Sequence, residues 1–322
     1  MSVSVIIPTL NRLDLLKVTL ENILKQTTRA SEIIVVDSGS TDGTQQYLRE
    51  HYSDSVILVP NPGRTPGAAR NAGFRISTGK YIQFMDSDDV VTNNKFRVQM
   101  KVLRDRSAGA VYGPYVHASW DGQTWIQQDV ILQYRPLPSR WTLHRAMVRG
   151  FFTIIPGFLF DRHFLKELGP WREDQVAYED WDYLWRMGQL CPAIPHTSEC
   201  CYFYRIHGNQ TTGAAFSNSQ RDRQKLEVFG ELWNNFISDS DELSRAEKLF
   251  FKAQIYHTMI QGKNRELDPE MFDSVSSPDV ILADLYLRLV SKVNRLRTGS
   301  GWQLMHGVNT DPEQFRKYLG MI

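Results

Sequence analysis

The sequence predicts an α/β fold: a mostly parallel sheet flanked by helices, followed by a helical C-terminal extension. Apolar, β-branched runs alternate with helical periodicity over about the first hundred residues. Those runs are continuous, the pattern of strands buried on both faces. Beyond about Phe216 the apolar stripes are helical to the end of the sequence.

Each element can be justified in order. "VSVIIP" is a buried strand ended by proline, and Leu13, Leu16, Leu20, Ile23 and Leu24 follow at helical spacing with Asn11 placed to cap them. "EIIVVDSGSTDGT" is a second buried strand running into a Gly/Ser/Thr turn, with a short helix around Gln45 to Glu50. "SVILVP" is a third strand, and "TPGAARNAGFRIS" a helix with Pro66 near its start. "KYIQFMD" is a fourth strand, and "NNKFRVQMKVLRD" a further helix. From Gly109 the pattern changes: "GAVYGPYVHAS" and "TWIQQDVIL" predict antiparallel edge strands, and "LHRAMVRG" a short helix. "TIIPGFLFDRHFLKELG" reads as strand then helix, stopped by Gly169. "YEDWDYLWRMGQL" is amphipathic and helical, and "CCYFYRIHGNQTT" is a strand entering a polar loop. "DRQKLEVFGELWNNFI", "SRAEKLFFKAQIYHTMI" and "PDVILADLYLRLVSKVNRLR" carry the last stripes.

Composition narrows the function classes. The 322 residues are 42% hydrophobic and 23% charged, enough for one large domain or one with an appendage. Net charge is +1, from 37 basic and 36 acidic residues, so nothing calls for nucleic acid as a partner. Cys191, Cys200 and Cys201 are odd in number and form no C-x-x-C pair, which fits buried thiols in a reducing compartment. The apolar run of "MSVSVIIPTLNR" is too short for a signal peptide and lacks a basic leader. No window is long enough to span a bilayer, and Pro156 and Gly157 interrupt the greasiest stretch, "FFTIIPGFLF". A cytoplasmic protein is expected, with contact at the inner face of a membrane left open. There is no G-x-G-x-x-G after an early strand and no G-x-x-x-x-G-K-[ST], against a dinucleotide oxidoreductase and a P-loop enzyme.

In parallel sheets ligands bind beyond the carboxyl ends of the strands. Thr9 and Asn11 follow strand one, Asp37 strand two, and Asp86, Asp88 and Asp89 strand four. Asp37 could bond a base or ribose, or serve a strand-to-helix turn in which Thr41 or Asp42 caps the next helix. The acid cluster could hold Mg²⁺ or Mn²⁺, which need oxygen ligands and often bridge to phosphates, or could cap the helix at Asn93 and beyond. Arg64 and Arg70 could hold phosphate or lie on a solvated helix face. Glu179, Asp180 and Asp182 could answer a helix dipole, or Trp181 and Trp185 could form a sugar pocket that tunes one of them as a general base. Arg205 and His207 fall together at a strand end, where a histidine is as readily structural as functional.

"SVIIPTLNR", "IIVVDSGSTDGT", "GAARNAG", "YIQFMDSDD", "GPWREDQVAYEDWDYLWRM" and "YRIHGNQTT" occur in an order that resembles the family 2 inverting glycosyltransferases of GT-A fold. The resemblance covers residues 3 to about 212. It implies a catalytic domain over 1–215, with a nucleotide-binding part at about 1–108, an acceptor part at about 109–215, and a helical extension over 216–322. It implies that Thr9 and Asp37 contact base and ribose, with Pro8 and Asn11 beside them and Arg70 against the nucleotide or its phosphates. Asp86-Ser87-Asp88 matches the D-x-D motif. Asp88 would hold a divalent metal, Mn²⁺ or Mg²⁺, and His207 would contact the metal or the diphosphate once the loop closes. Asp86 would lie near ribose or donor sugar, and Asp89 would support the loop. Asp180 would be the general base, with Glu179, Trp181 and Gly157 around the substrate. The implied donor is a nucleotide sugar, most readily a UDP-sugar, and the acceptor a glycan, lipid-linked or small-molecule hydroxyl. The Q-x-x-R-W signature of processive members is absent, so one sugar per encounter is expected. The basic stretch "LRLVSKVNRLR" could touch an anionic membrane or pack on the catalytic domain. The rivals are a sugar-nucleotide pyrophosphorylase, disfavoured by "PTLNR" after strand one, and a catalytically silent nucleotide-binding or scaffolding protein of the same fold.

Overall fold

A computed structural model describes residues 2–61, 63, 65–120, 125–127, 131–139, 141–149, 151–207, 218–261, 277–285, 309 and 311–322. Arg64 and "LRLVSKVNRLR" lie outside the described residues, so their readings stay as expectations.

The predicted strand–helix alternation is present. Strands β1 (Val3–Thr9), β2 (Glu32–Asp37), β3 (Ile57–Pro60) and β4 (Tyr81–Phe84) alternate with helices α1 (Leu13–Leu24), α2 (Thr44–His51) and α3 (Pro66–Ile76). Strand β5 (Val90–Val91) and helix α4 (Lys95–Arg106) come next, then β6 (Ala110–Tyr112), β7 (Tyr115–Trp120) and β8 (Trp125–Gln127). Helix α5 (Leu143–Val148), β9 (Phe158–Asp161), α6 (Arg162–Leu168), α7 (Glu179–Leu190) and β10 (Tyr202–Arg205) complete the strand-bearing part. Further helices cover Asn218–Leu232, Arg245–Gln261 and Pro312–Leu319.

The main sheet has the order β3-β2-β1-β4-β9-β6. Its first four strands are parallel, and β9 and β6 add an antiparallel edge. Alternate residues of β1 face two different cores. Val3, Val5 and Ile7 pack with Leu16, Leu20 and Ile23 of α1, whereas Ile6 packs with Ala69 and Ala72 of α3. Helix α3 lies tight on the sheet because Gly73 has no side chain: a Cβ there would overlap Ile6 Cγ2.

Two expectations are corrected. Asn11 does not cap α1; Arg12 is the N-cap residue and makes no side-chain cap bond. Asp42 reaches across instead, accepting from the Leu13 N–H at 2.9 Å with one oxygen and from the Thr44 N–H at 3.1 Å with the other, so a single carboxylate serves two helix starts. The acid cluster does not cap the helix that follows it, since α4 begins at Lys95 after Asn94 with no side-chain cap. It leads into β5, a strand too short to show any periodicity. β5 belongs to a second sheet, β5-β10-β7-β8.

The first two C-terminal helices share the main core, and Phe315 and Tyr318 of the last pack with Val90, Val116 and Phe203 of the second sheet. Phe229 and Phe251 stack at 5.2 Å, and Trp181 of α7 meets Phe229 at 4.7 Å. Glu247 sits beneath them with its side chain 1% exposed, bonded to Arg145 at 3.0 Å, Arg149 at 3.0 Å and Ser244 at 2.8 Å. Burial raises the Glu247 pKa, but these partners outweigh it and bring it down to about 2. Glu247→Gln should therefore cost about 2 kcal/mol, below the usual cost of breaking a buried pair because both arginines reach water. Urea denaturation near neutral pH checks this. A carboxylate depressed on folding adds stability above its unfolded pKa, so the difference from wild type should fade as pH drops from about 4.5 toward 2.

Candidate active site

The carboxyl ends of β1, β2 and β4 lie side by side, with Thr9 opposite Asp37 and Ile6 opposite Phe84. Thr9 is buried, and its hydroxyl has no hydrogen-bond partner among the described residues. Asp37 is also buried, but its oxygens accept from the N–H groups of Gly39 and Ser40, the Ser40 hydroxyl and Gln45 Nε2. Asn11, with φ 51°, accepts from the Thr41 N–H at 2.7 Å and its own N–H donates to Ser40 Oγ at 2.8 Å. Asp37 and Asn11 thus build the turn that forms one wall of the site.

The acid loop 86–89 is held by polar groups on the inner face of α1. The stripe Leu16, Leu20 and Ile23 is interrupted by Thr19 and Asn22, both buried, with Gln26 just beyond. Thr19 Oγ1 lies 3.0 Å from Ser87 O and 2.8 Å from Asp89 O. Asn22 makes a two-point clamp on Val91: Nδ2 donates to its carbonyl at 2.9 Å and Oδ1 accepts its N–H at 2.8 Å. Gln26 Nε2 donates to Thr92 O at 2.9 Å. From β10, Arg205 Nε donates to Asp88 O while its N–H donates to Asp89 Oδ1 at 2.7 Å.

The three acids of the loop differ in their partners. Asp89 is buried and also accepts from the Tyr202 hydroxyl. Burial, then its two acidic neighbours, push its pKa well up, so it is an internal fastener. Asp88 Oδ2 pairs with the Arg12 guanidinium and lies 3.1 Å from His207 Nε2. Burial raises the Asp88 pKa, but the His207 hydrogen bond and the charges of Arg12 and Arg205 hold it below the ordinary carboxylate value. Asp86 is the most open, with its side chain 31% exposed, and pairs with Arg70 at 3.3 Å. Its pKa is raised, chiefly by desolvation.

Arg70 ties this loop to α7. Its side chain is 8% exposed, donates to Glu179 Oε1 at 2.8 Å, and lies over the Trp171 ring at 4.6 Å. The loop carrying Trp171 is fixed by a second two-point amide clamp. Asn71 Nδ2 donates to Trp171 O and Asn71 Oδ1 accepts the Trp171 N–H, each at 2.9 Å. Tyr178, at φ 63°, then turns the chain into α7. Of the three acids in the first turn of α7, Glu179 pairs with Arg70 and Asp182 with Arg186 at 2.7 Å. Among the described residues Asp180 forms no ion pair within 4.0 Å. Burial, and after it the neighbouring Glu179 charge, raise its pKa to about 7.

The structure therefore brings Arg70, Asp86, Asp88, Glu179, Asp180 and His207 into one cluster, and Thr9, Asn11 and Asp37 to its edge. Two predicted substrate residues lie elsewhere in their contacts. Trp181 is buried against Phe152 at 5.7 Å and Phe229, inside the core. Gly157 is buried in the turn before β9, its carbonyl accepting from Gln99 Nε2 at 2.9 Å. Sequence reasoning missed Arg12 and both amide clamps. Thr19 and Asn22 did carry a signal, as polar residues falling on the apolar face of α1.

A mostly parallel sheet with acids at the carboxyl ends of β2 and β4, an antiparallel edge and a small second sheet defines a GT-A-like fold. Comparison with known proteins agrees. Residues 4–169 match the profile described as glycosyl transferase family 2. The chain belongs to that family. It is similar to a Rickettsia prowazekii protein described as an uncharacterized glycosyltransferase, at 25% identity over 98% of this chain and 96% of that one. It is 33% identical to the Escherichia coli UDP-Glc:alpha-D-GlcNAc-diphosphoundecaprenol beta-1,3-glucosyltransferase WfgD, over 35% of this chain and 45% of that one. Among solved structures, S. aureus TarS 1-349 in complex with UDP-GlcNAc superposes with TM-score 0.61 and 19% identity, over 88% of this chain and 79% of that chain. That likeness is one of fold.

The family raises the question of a metal. Among the described residues no three His, Cys, Asp or Glu side chains converge as a metal site. Asp88, kept ionised, and His207 offer two donor atoms 3.1 Å apart. That pair fits a hard cation whose remaining positions are oxygens of water and a diphosphate. No helix among the described residues is long and apolar enough to cross a membrane.

The clamp on Val91 gives a direct test of how the acid loop is held. Asn22→Ala leaves a buried N–H and a buried carbonyl unpaired, which should cost about 3 kcal/mol. Chemical denaturation measures the loss, and a change within 0.5 kcal/mol, the ordinary range for a surface substitution, would count against the clamp.

Proposed function

We propose that the chain transfers a sugar from a nucleoside diphosphate sugar, most readily a UDP-sugar, to an acceptor hydroxyl with inversion, and that Asp180 is the general base. One observation carries the reading. Three acids share a turn of α7; two are paired to arginines, and the third, which forms no ion pair among the described residues, has its pKa raised to about 7. A base is most effective when its pKa lies near the working pH.

The rest of the cluster supports this role. Thr9, Pro8, Asn11 and Asp37 form the edge where base and ribose would lie. Arg70 holds Asp86 and Glu179 and so sets the distance between the donor side and α7. Asp180 takes the proton of the acceptor hydroxyl as that oxygen forms its bond to the anomeric carbon. The bond from that carbon to the diphosphate oxygen breaks, and its electron pair leaves with the nucleoside diphosphate. One displacement inverts the centre and needs one base. Asp88 and His207 would hold a divalent cation, Mn²⁺ or Mg²⁺, which when bound offsets the charge of the leaving diphosphate. Glu179 would stand beside the sugar. The buried Trp181 and Gly157 would act on substrate only by shaping the walls behind it. The family 2 match and the fold shared with TarS bound to UDP-GlcNAc support the donor class.

Asp180→Asn should leave UDP binding intact and lower transfer by about 10²–10⁴-fold. Calorimetry with UDP and a donor-hydrolysis or transfer assay separate the two effects. A base titrating near 7 must be ionised to work, so wild-type kcat/KM should rise as pH rises through about 7 and level off above it. A flat profile from pH 5 to 9 would remove Asp180 from the role. Asp88→Asn should weaken UDP binding in Mn²⁺ by roughly tenfold or more; an affinity in Mn²⁺ equal to that of wild type would reject the metal assignment.

A further inference from the structure

The Asp88 carboxylate already faces a cation of the chain itself. Arg12 stands on the loop between β1 and α1 and pairs with Asp88 Oδ2, the same oxygen that lies 3.1 Å from His207 Nε2. The Arg12 side chain is 14% exposed, so the pair is largely shielded from water, where charges attract strongly. A divalent cation bound by Asp88 and His207 would therefore meet a guanidinium already in place. Two positive centres on one carboxylate oxygen repel each other.

Arg12 also lies where a diphosphate would arrive. It follows Asn11, which is bonded to the Asp37 turn, and it faces the acid loop beyond β4. A guanidinium matches phosphate oxygens as well as it matches a carboxylate, with two parallel N–H donors.

We propose that Arg12 is a displaceable internal counter-ion: it occupies Asp88 until a nucleoside diphosphate arrives, then passes to the phosphate oxygens and leaves Asp88 to the divalent cation. The proposal rests on the metal reading given above. Its consequence is that metal and nucleotide bind cooperatively. Without nucleotide, Arg12 suppresses metal binding; with it, Arg12 has another partner. By linkage, the metal must favour the nucleotide by the same factor.

The test measures Mn²⁺ affinity, not turnover. Free Mn²⁺ is followed by electron paramagnetic resonance for wild type, Arg12→Gln, Arg12→Lys and Asp88→Asn, with and without saturating UDP. Circular dichroism confirms that each variant is folded. Without UDP, Arg12→Gln should bind Mn²⁺ at least about tenfold more tightly than wild type, the lower end of what one adjacent charge does to a carboxylate's affinity for a proton. With UDP that gain should vanish, and Arg12→Lys should stay near wild type in both states. An equal gain with and without UDP would mean a local charge effect only and would overturn the hand-over. Mn²⁺ binding that Asp88→Asn abolishes but Arg12→Gln leaves unchanged would overturn the proposal while sparing the metal reading. No Mn²⁺ binding by any protein, with or without UDP, would remove both.

Discussion

The site depends on one buried guanidinium. Arg70 bonds Asp86 beyond β4 and Glu179 at the start of α7, residues 16 and 109 positions away. Without it, Asp86, Glu179 and Asp180 would be carboxylates crowded together with little water to separate them. Such a group either takes up protons or moves apart. Arg70 allows them to stay, and the structure invests in keeping it rigid. Gly73 lets α3 lie close on β1, Trp171 stacks beneath the guanidinium, and Asn71 fixes Trp171 in turn. A lysine would not reproduce this, because one ammonium cannot span two carboxylates and also stack flat on an indole.

From that constraint comes a division among acids of similar chemistry. Asp88 faces two arginines and a histidine and is the most readily ionised. Asp86 shares Arg70 with Glu179 and is buried enough that its proton is held more tightly. Asp89 bonds a tyrosine and a backbone N–H and fastens two strands together. Asp180 is buried, and stands beside Glu179, which has already claimed the nearest arginine, so its pKa is raised to about 7. Environments that push like groups apart in pKa are how one site can hold a charge at one point and accept a proton at another.

Much of this was legible in the sequence. The continuous apolar runs showed the parallel strands, and the acids beyond them stood where ligands bind. The second sheet was harder to read: β5 is two residues long, and a run that short has no period. Asn11 looked like a cap because it precedes a helix, yet the cap came from Asp42, nearly thirty residues on. Trp181 looked like a pocket residue because it flanks the acids, but on a helix adjacent residues point different ways, and this one points into the core. Arg12 carried no signal, because its partner is 76 positions away and only the fold brings them together.

The two sides of the cluster are built differently. The α7 side stands on a helix whose start is locked by Arg70 and by the Asn71 clamp, so Asp180 has little freedom. On the other side the acid loop is equally fixed, through Thr19, Asn22, Gln26 and Arg205, and meets Arg12 and His207 at Asp88. Arg12 lies between β1 and α1, and His207 follows β10 by two residues. Both reach Asp88 through side chains whose backbone is outside any helix or strand. A proton acceptor must sit at a fixed distance from its hydroxyl, since a small misplacement is costly in rate. Charges that meet a ligand must instead change partners when it comes and goes. Rigid acids met by side chains from irregular backbone suit both demands within one site.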